Sequence, residues 1–173
     1  MLNISDDLIE PYEEVEFSQG LVTGWTGSAQ AVDIRADGAV PHLLFDRALF
    51  RRLMTNLLTN AAKHAGPDAK VTVSFDREVS GGISMSVEDD GPGVNPALLP
   101  GFREPFKRGP SLPKVKMDGV GLGLWIVDQI AKAHECKCEI ASALGECFRV
   151  TLRIPAFRVH ERHELSRVTG SGI

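Results

Sequence analysis

The sequence predicts an α+β fold in which helices cover one face of a mostly antiparallel sheet. Two observations support this prediction. Two stretches have the three-and-four spacing of amphipathic helices, and several shorter stretches alternate like strands between glycine-rich turns. The chain has 173 residues, of which 43% are hydrophobic, so it can bury one apolar core without disulfides.

The N-terminal residues contain the weakest signals. Apolar residues are spaced for a helix within residues 1–19, although Pro11 fits a helix only in its first turn. Two alternating stretches, Leu21–Thr23 and Ala31–Arg35, predict strands on either side of a Gly/Ser turn. We therefore expect residues 1–40 to form a lead-in segment that precedes the core or packs on it.

The remaining predicted elements lie within residues 41–156. The clearest helix ends at Gly66-Pro67, and its repeating residues are Leu49, Leu53, Asn56, Leu57, Asn60, Ala61 and His64. A hairpin, a second helix and two closing strands follow, at Val71–Phe75, Ile83–Val87, Leu124–Ala133, Cys138–Ile140 and Phe148–Ile154. His42 follows a proline and is expected in a loop, and residues 157–173 are expected to form a disordered tail.

Charge and composition exclude several classes of protein. The net charge of −4 argues against a nucleic-acid-binding surface that works by bulk positive charge. No stretch approaches the ~18 apolar residues of a membrane span, and the first residues lack the features of a secretory signal. Three cysteines, an odd number, predict no disulfide framework. A cytoplasmic location is the simplest expectation.

Two asparagines one helical turn apart form the first candidate site. Asn56 and Asn60 are four residues apart, so their carboxamides lie on one side of the helix, and Lys63 follows one turn later. Amide oxygens are suitable ligands for Mg²⁺, and the lysine can reach phosphate oxygens. Taken alone, the pair of asparagines fits a purely structural role as well.

Two glycine-rich turns form further candidate sites. Asp89 ends an apolar strand and is followed by Gly91 and Gly93, which allow a ligand to approach the backbone closely. In residues 118–124 alternating glycines lead directly into the second helix, whose free N–H groups and dipole suit a phosphate. The basic residues 102–117 between the two turns predict a lid over a polyphosphate, although a solvated loop fits them equally well.

In this order, the motifs resemble those of the ATP-binding catalytic domain of sensor histidine kinases, in the superfamily that includes gyrase, Hsp90 and MutL. Asn56–His64 matches the N box, Asp89–Gly93 the G1 box, Phe102–Arg108 the F box and Gly119–Leu124 the G2 box. The resemblance covers roughly residues 45–155. It implies a two-layer α/β sandwich of the Bergerat type, with a mixed sheet covered by helices on one face and with ATP between the N-box helix and a lid.

The resemblance also implies a role for each matched residue. Asp89 would bind the adenine amino group, and His64 stands where the family often has a tyrosine against the base. Asn60, helped by Asn56, would hold Mg²⁺ between the phosphates. The implied catalytic residues are Asn56, Lys63 and Arg108, and the implied nucleotide-binding residues are Asn60, Lys63, His64, Asp89, Gly91, Gly93, Arg108, Gly119, Gly121, Leu122 and Gly123.

The residue one turn before Asn60 distinguishes the branches of this superfamily. In the ATP-hydrolysing branches and in the anti-sigma-factor serine kinases, this position carries a glutamate that acts as a general base. Here it is Asn56, and a carboxamide is not a useful base. The residue favours a histidine acceptor, which is itself nucleophilic, over water or a serine hydroxyl.

The resemblance therefore implies a two-component sensor histidine kinase. Its catalytic domain, residues 41–156, would transfer the γ-phosphoryl group of Mg-ATP to a histidine on a dimerisation domain that is absent from this chain. Its partners would be that phosphoacceptor domain and a response regulator, with no contact to nucleic acid or membrane by this segment, which could belong to a membrane-anchored sensor. Two alternatives stay open: a non-catalytic adaptor module that signals by protein contact, and a gyrase- or Hsp90-like ATPase.

Overall fold

The computed structural model describes residues 13–16, 32–36, 41–66, 68–103 and 122–160. In chain order these residues form β1 (Glu13–Glu16), β2 (Val32–Ala36), β3 (His42–Phe45), α1 (Arg47–His64), β4 (Val71–Arg77), β5 (Ile83–Asp89), α2 (Gly123–Ala133), β6 (Lys137–Ala143), β7 (Cys147–Ile154) and β8 (Val159–His160). Two short 3₁₀ helices lie at Pro96–Arg103 and Ala156–Arg158.

Five of the strands form the main sheet, in the order β2-β4-β5-β7-β6. Strand β2 pairs in parallel with β4, and the other three pairs are antiparallel. The predicted α+β class with a mixed, mostly antiparallel sheet is confirmed. Because β5 is the middle strand, the residues at its end lie at the centre of the sheet edge.

Helix α1 begins at a capped end, and a glycine follows its C-cap residue Ala65. The carboxylate of Asp46 accepts a hydrogen bond from the backbone N–H of Leu49 at 2.7 Å, which stabilises the first turn. The chain leaves the helix at Gly66, whose φ of +103° suits glycine. The buried residues of α1 recur three and four apart and belong to the core: Phe50, Leu53, Met54, Leu57, Leu58 and Ala61.

Both helices lie on one face of the main sheet. Alternate strand residues face them and are buried, including Val73, Met85 and Leu152. The opposite face is polar, and one of its cross-strand ion pairs joins Glu88 to Arg149. The molecule therefore has one apolar layer, and a polar site can form where the helices meet the strand ends.

A second sheet, in the order β1-β3-β8, corrects two predictions. Glu13–Glu16 lies in a strand rather than in the helix predicted within residues 1–19, because it pairs antiparallel with β3. His42 begins β3 and does not lie in a loop, and Leu43 from this strand is fully buried. In both cases pairing with a distant strand overrides the local pattern.

The end of the described chain also differs from the prediction. Residues 157–160 complete a 3₁₀ helix and form β8, which pairs with β3, so the tail predicted from residue 157 starts too early. The side chain of Arg158 is buried, and its guanidinium donates to the backbone oxygen of His134 at 2.7 Å. This contact ties the segment to the C-terminal end of α2.

Several predicted segments lie outside the described residues. They are the strand Leu21–Thr23, the lid from residue 104 onward and the tail from residue 161 onward. Within the described ranges, no helix is both long and apolar enough to cross a membrane.

Candidate functional site

One side of α1 carries polar residues next to its buried face. Asn56, Asn60 and Lys63 are four and three residues apart, so they form a stripe along the helix. The amide nitrogen of Asn56 donates to the backbone oxygen of Arg52 at 2.8 Å. Asn60 is half-buried, and its carboxamide makes no hydrogen bond to any residue that the structure describes. The stripe therefore offers carboxamide oxygens, which are ligands that Mg²⁺ accepts.

The carboxylate of Asp89 lies at the end of the central strand β5. It is buried, and its Oδ1 accepts a hydrogen bond from the backbone N–H of Gly91 at 3.1 Å. Burial raises the pKa of Asp89 above its usual value, the Gly91 hydrogen bond opposes this shift, and the charges of Asp90 and Glu88 add to it. A buried acceptor at a strand end can receive a hydrogen bond from an amino group of a ligand.

The loop after Asp89 contacts the C-terminal end of α1. A side chain at Gly91 would overlap the Cα of Ala65 and come within 2.8 Å of its Cβ, so this close approach requires glycine. The approach brings Asp89 towards the last turn of the helix, which contains His64. The pKa of His64 is lowered, mainly by desolvation and also by the charge of Lys63, which favours a neutral ring.

The first turn of α2 faces the other end of the polar stripe. A Cβ built on Gly123 would lie 3.5 Å from the carboxamide oxygen of Asn56, which is an ordinary van der Waals distance. Leu122 is the N-cap of α2, and no side chain caps this end through a hydrogen bond within the described residues. The first N–H groups of α2 and the helix dipole therefore favour an anion at this end.

The two ends of the stripe differ in chemistry. Asn56 and Ala65 are nine residues apart, which corresponds to about 14 Å along an α-helix. The buried acceptor Asp89 and a neutral ring at one end suit a nucleobase, whereas the uncapped N-terminus of α2 at the other end suits phosphate. Asn60 lies between them and can ligate a metal ion. The arrangement can hold an extended nucleoside triphosphate along α1.

The described part of the chain contains most of the predicted site residues. Those brought together along α1 are Asn56, Asn60, Lys63, His64, Asp89, Gly91, Leu122 and Gly123. The resemblance places Gly93 beside the base. A Cβ built on this glycine would point towards the backbone carbonyls of Ala143 and Cys147. Arg108, Gly119 and Gly121 lie outside the described residues.

One contact beside this site has no signal in the sequence. The backbone N–H of Val94 donates to the hydroxyl of Ser142 at 2.8 Å, across 48 residues of sequence. Ser142 belongs to no motif, and a single serine in a strand gives no local signal of such a contact. In the described ranges there is also no cluster of three or more His, Cys, Asp or Glu residues that could hold a metal ion.

Comparison with known proteins gives a family match over the same region. The model of the histidine kinase-, DNA gyrase B- and HSP90-like ATPase family matches residues 45–156. The sensor histidine kinase TrcS of Mycobacterium tuberculosis is 38% identical over 112 residues, or 62% of this chain and 22% of TrcS. The sensor protein KdpD of Escherichia coli is 37% identical over 123 residues, or 69% of this chain and 13% of KdpD. The chain thus spans about a fifth or less of the length of these curated relatives.

Solved structures share the fold at low sequence identity. The catalytic domain of the histidine kinase ThkA matches with a TM-score of 0.65 and 21% identity, covering 83% of this chain and 96% of that domain. Full-length ShkA in complex with AMPPNP also has a TM-score of 0.65, with 23% identity, and the match covers 85% of this chain and 32% of ShkA. Both neighbours support the same two-layer architecture.

Proposed function

This chain belongs to the family of histidine kinase-, DNA gyrase B- and HSP90-like ATPases, and from that premise we propose that it is the ATP-binding catalytic domain of a two-component sensor histidine kinase. It binds Mg-ATP and transfers the γ-phosphoryl group to a histidine on a separate phosphoacceptor domain, from which a response regulator receives it. The domain acts in the cytoplasm.

The single observation that supports this proposal most strongly is the polar stripe of α1 between two different chemical environments. Asp89 and Gly91 lie at the end near Ala65, and the N-terminus of α2 lies at the end near Asn56. A nucleotide placed along the stripe has its adenine amino group at the buried carboxylate. Its phosphates then lie at the helix N-terminus, where N–H groups and the dipole stabilise negative charge.

The residues of the stripe fit a magnesium ion. The Asn60 carboxamide makes no hydrogen bond to the described residues, and the Asn56 carboxamide keeps its oxygen for a ligand while its nitrogen donates to Arg52. These two side chains would hold Mg²⁺, which, when bound, neutralises charge on the phosphates. Lys63 adds positive charge to the same side of α1, and we propose Arg108 as a second cation for the phosphates.

Asn56 determines which acceptor the site serves. A carboxamide does not accept a proton from water, so the site lacks the general base that hydrolysis requires at this position. Phosphoryl transfer depends mainly on positioning and on charge neutralisation, and a histidine acceptor is a nucleophile without help from a base. The proposal therefore predicts transfer to histidine and little hydrolysis.

The proposal is tested with γ-labelled Mg-ATP and a purified phosphoacceptor domain from a sensor histidine kinase. We expect acid-labile label on the acceptor and little release of inorganic phosphate by the chain alone. Asn60→Asp should abolish transfer, because it places a negative charge beside the phosphates, whereas Asn95→Asp, the same change at an exposed residue, should retain it. Steady phosphate release without transfer would support an ATPase instead, and nucleotide binding with neither reaction would support the adaptor alternative.

A further inference from the structure

The loop that follows Asp89 crosses the edge of the main sheet to the hairpin formed by β6 and β7. In the sheet register Asp89 pairs with Phe148, and Phe148 pairs with Ser142, so these three residues form one row across β5, β7 and β6. Directly paired residues of antiparallel strands point to the same face of a sheet. Ser142 is therefore two strands away from Asp89 on the face that carries the helices.

Hydrogen bonds tie this loop to the end of the hairpin. The hydroxyl of Ser142 accepts a hydrogen bond from the backbone N–H of Val94 at 2.8 Å and donates one to the backbone oxygen of Cys147 at 2.6 Å. The backbone N–H of Gly145 donates to the oxygen of Pro92 at 2.7 Å. Since Ser142 uses its hydroxyl in both directions, it joins the loop and both strands of the hairpin.

Close backbone packing fills the space between these hydrogen bonds. Gly93 has a φ of +56°, and a side chain there would overlap the carbonyl oxygen of Ala143 and lie 2.6 Å from that of Cys147. The loop therefore fits against the hairpin without a gap for a Cβ. On its other side, Gly91 contacts Ala65 at the end of α1. The loop is held between the hairpin and the helix.

The same hairpin also supports the chain beyond this loop. The ring of Phe102 contacts that of Phe148 edge to face, with ring centroids 5.9 Å apart. Phe102 lies in the last turn of the 3₁₀ helix Pro96–Arg103. One strand pair thus contacts both the loop next to Asp89 and the segment after it.

We propose that Ser142 is a positioning residue for the base end of the nucleotide site: its hydroxyl fixes the loop of residues 91–94 relative to Asp89. This inference rests on the proposed binding of ATP by the chain. It predicts that loss of the hydroxyl weakens recognition of the adenine base and leaves the binding of the phosphates along α1 unchanged.

The test compares Ser142→Ala, Ser142→Thr and, as a matched control, Ser84→Ala, which lies on the polar face of β5. For each protein the dissociation constants of the magnesium complexes of AMP-PNP and GMP-PNP are measured by calorimetry. We expect Ser142→Ala to weaken AMP-PNP binding roughly fivefold or more and to change GMP-PNP binding less than about twofold, since the loop beside Asp89 loses the acceptor that holds its partly buried Val94 N–H. Ser142→Thr, which keeps the hydroxyl, should restore the preference for adenine, and Ser84→Ala should not change it.

The proposal is overturned if Ser142→Ala keeps the preference for adenine. It is also overturned if this variant weakens the binding of AMP-PNP and GMP-PNP equally, because a general loss of stability would have that effect. A second measurement, hydrogen exchange of the Val94 amide without nucleotide, tests the tether independently of nucleotide binding. It therefore distinguishes a failure of this inference from a failure of the proposed function. Faster exchange in Ser142→Ala than in the wild type supports the tether even if the wild type binds no nucleotide, in which case the proposed function fails. Unchanged exchange shows that the hydroxyl does not hold the loop.

Discussion

The carboxylate of Asp89 lies in surroundings that disfavour its negative charge. Burial raises its pKa, and the neighbouring charges of Asp90 and Glu88 act in the same direction. Because the folded chain then binds the proton more tightly than the unfolded chain, the stability contributed by this group falls as the pH rises above its ordinary pKa. At neutral pH the ionised side chain therefore costs stability, and this cost agrees with the ligand-binding role proposed for Asp89.

We predict that Asp89→Asn weakens nucleotide binding without lowering the stability of the fold. The asparagine oxygen can still accept the hydrogen bond from Gly91, and the buried charge is gone, so the free energy of unfolding at pH 7 should stay equal or rise by up to about 1 kcal/mol. Binding of a non-hydrolysable ATP analogue should weaken at least roughly tenfold, since a charged hydrogen bond is lost. Asp90→Asn is the control and should bind normally; equal affinity in both variants would remove Asp89 from the site.

Replacing two glycines of the site by alanine is predicted to have different effects on the free energy of unfolding. At Gly91 a methyl group would overlap Ala65, so Gly91→Ala should lower the free energy of unfolding by about 2 kcal/mol. At Gly123 a methyl group meets Asn56 at an ordinary distance within a helix, so Gly123→Ala should leave stability unchanged or raise it by up to about 1 kcal/mol. Urea unfolding measures both, and an equal loss in the two variants would contradict the packing described for Gly91.

At the scale of elements, a buried histidine joins the end of α2 to the start of α1. The Nε2 atom of His134 accepts a hydrogen bond from the N–H of Asp46 at 3.1 Å, and its Nδ1 lies 2.8 Å from the oxygen of Ile130. Its ring stacks on Phe45 with centroids 4.5 Å apart. Because Nε2 is an acceptor here, Nδ1 carries the proton and the ring is neutral.

This junction predicts a loss of stability in mild acid. Burial lowers the pKa of His134, the Ile130 hydrogen bond and Asp46 oppose the shift, and Arg158 adds to it; Glu135 and Cys136 also lie beside it. The unfolded chain then binds the proton more tightly, so this contribution is complete above the ordinary pKa near 6.5 and is lost as the pH falls below it, by up to about 1.4 kcal/mol per pH unit.

Urea unfolding between pH 7 and pH 5 measures this effect. His134→Gln should be less stable at pH 7 but should lose less stability on acidification than the wild type, because glutamine does not titrate. His160→Gln changes an exposed histidine of β8 and should follow the wild type. An identical slope in His134→Gln and the wild type would assign the acid sensitivity to other groups.

The elements differ in how well the sequence predicts them. Helix α1 is predictable because its apolar residues repeat three and four apart over several turns and because the sequence Gly66-Pro67 predicts a helix end close to the observed one. Strand β1 is not, because Glu13–Glu16 is acidic and becomes a strand only by pairing with β3. The burial of Arg158 is equally difficult to predict from the sequence, because its acceptors His134 and Leu44 come from distant parts of the chain.

On the scale of the whole molecule, the site combines elements that are remote in sequence. The motifs predict Asn60, Asp89 and Gly123 as candidate residues, and each of the three motifs lies at the end of a helix or strand. The contact of Gly91 with Ala65 and the support from Ser142 could not be predicted from the sequence, since both depend on how the sheet and the helices pack. Sequence motifs therefore predict candidate residues for the site, and tertiary packing determines how these residues are arranged.

The central claim is that the polar stripe of α1 holds a nucleotide through magnesium, between Asp89 and the N-terminus of α2. Titration calorimetry of the chain with a non-hydrolysable ATP analogue, with and without Mg²⁺, tests it most directly. We expect one saturable site whose affinity rises at least roughly tenfold when Mg²⁺ is present. No binding at millimolar nucleotide, or equal binding with and without Mg²⁺, would contradict it.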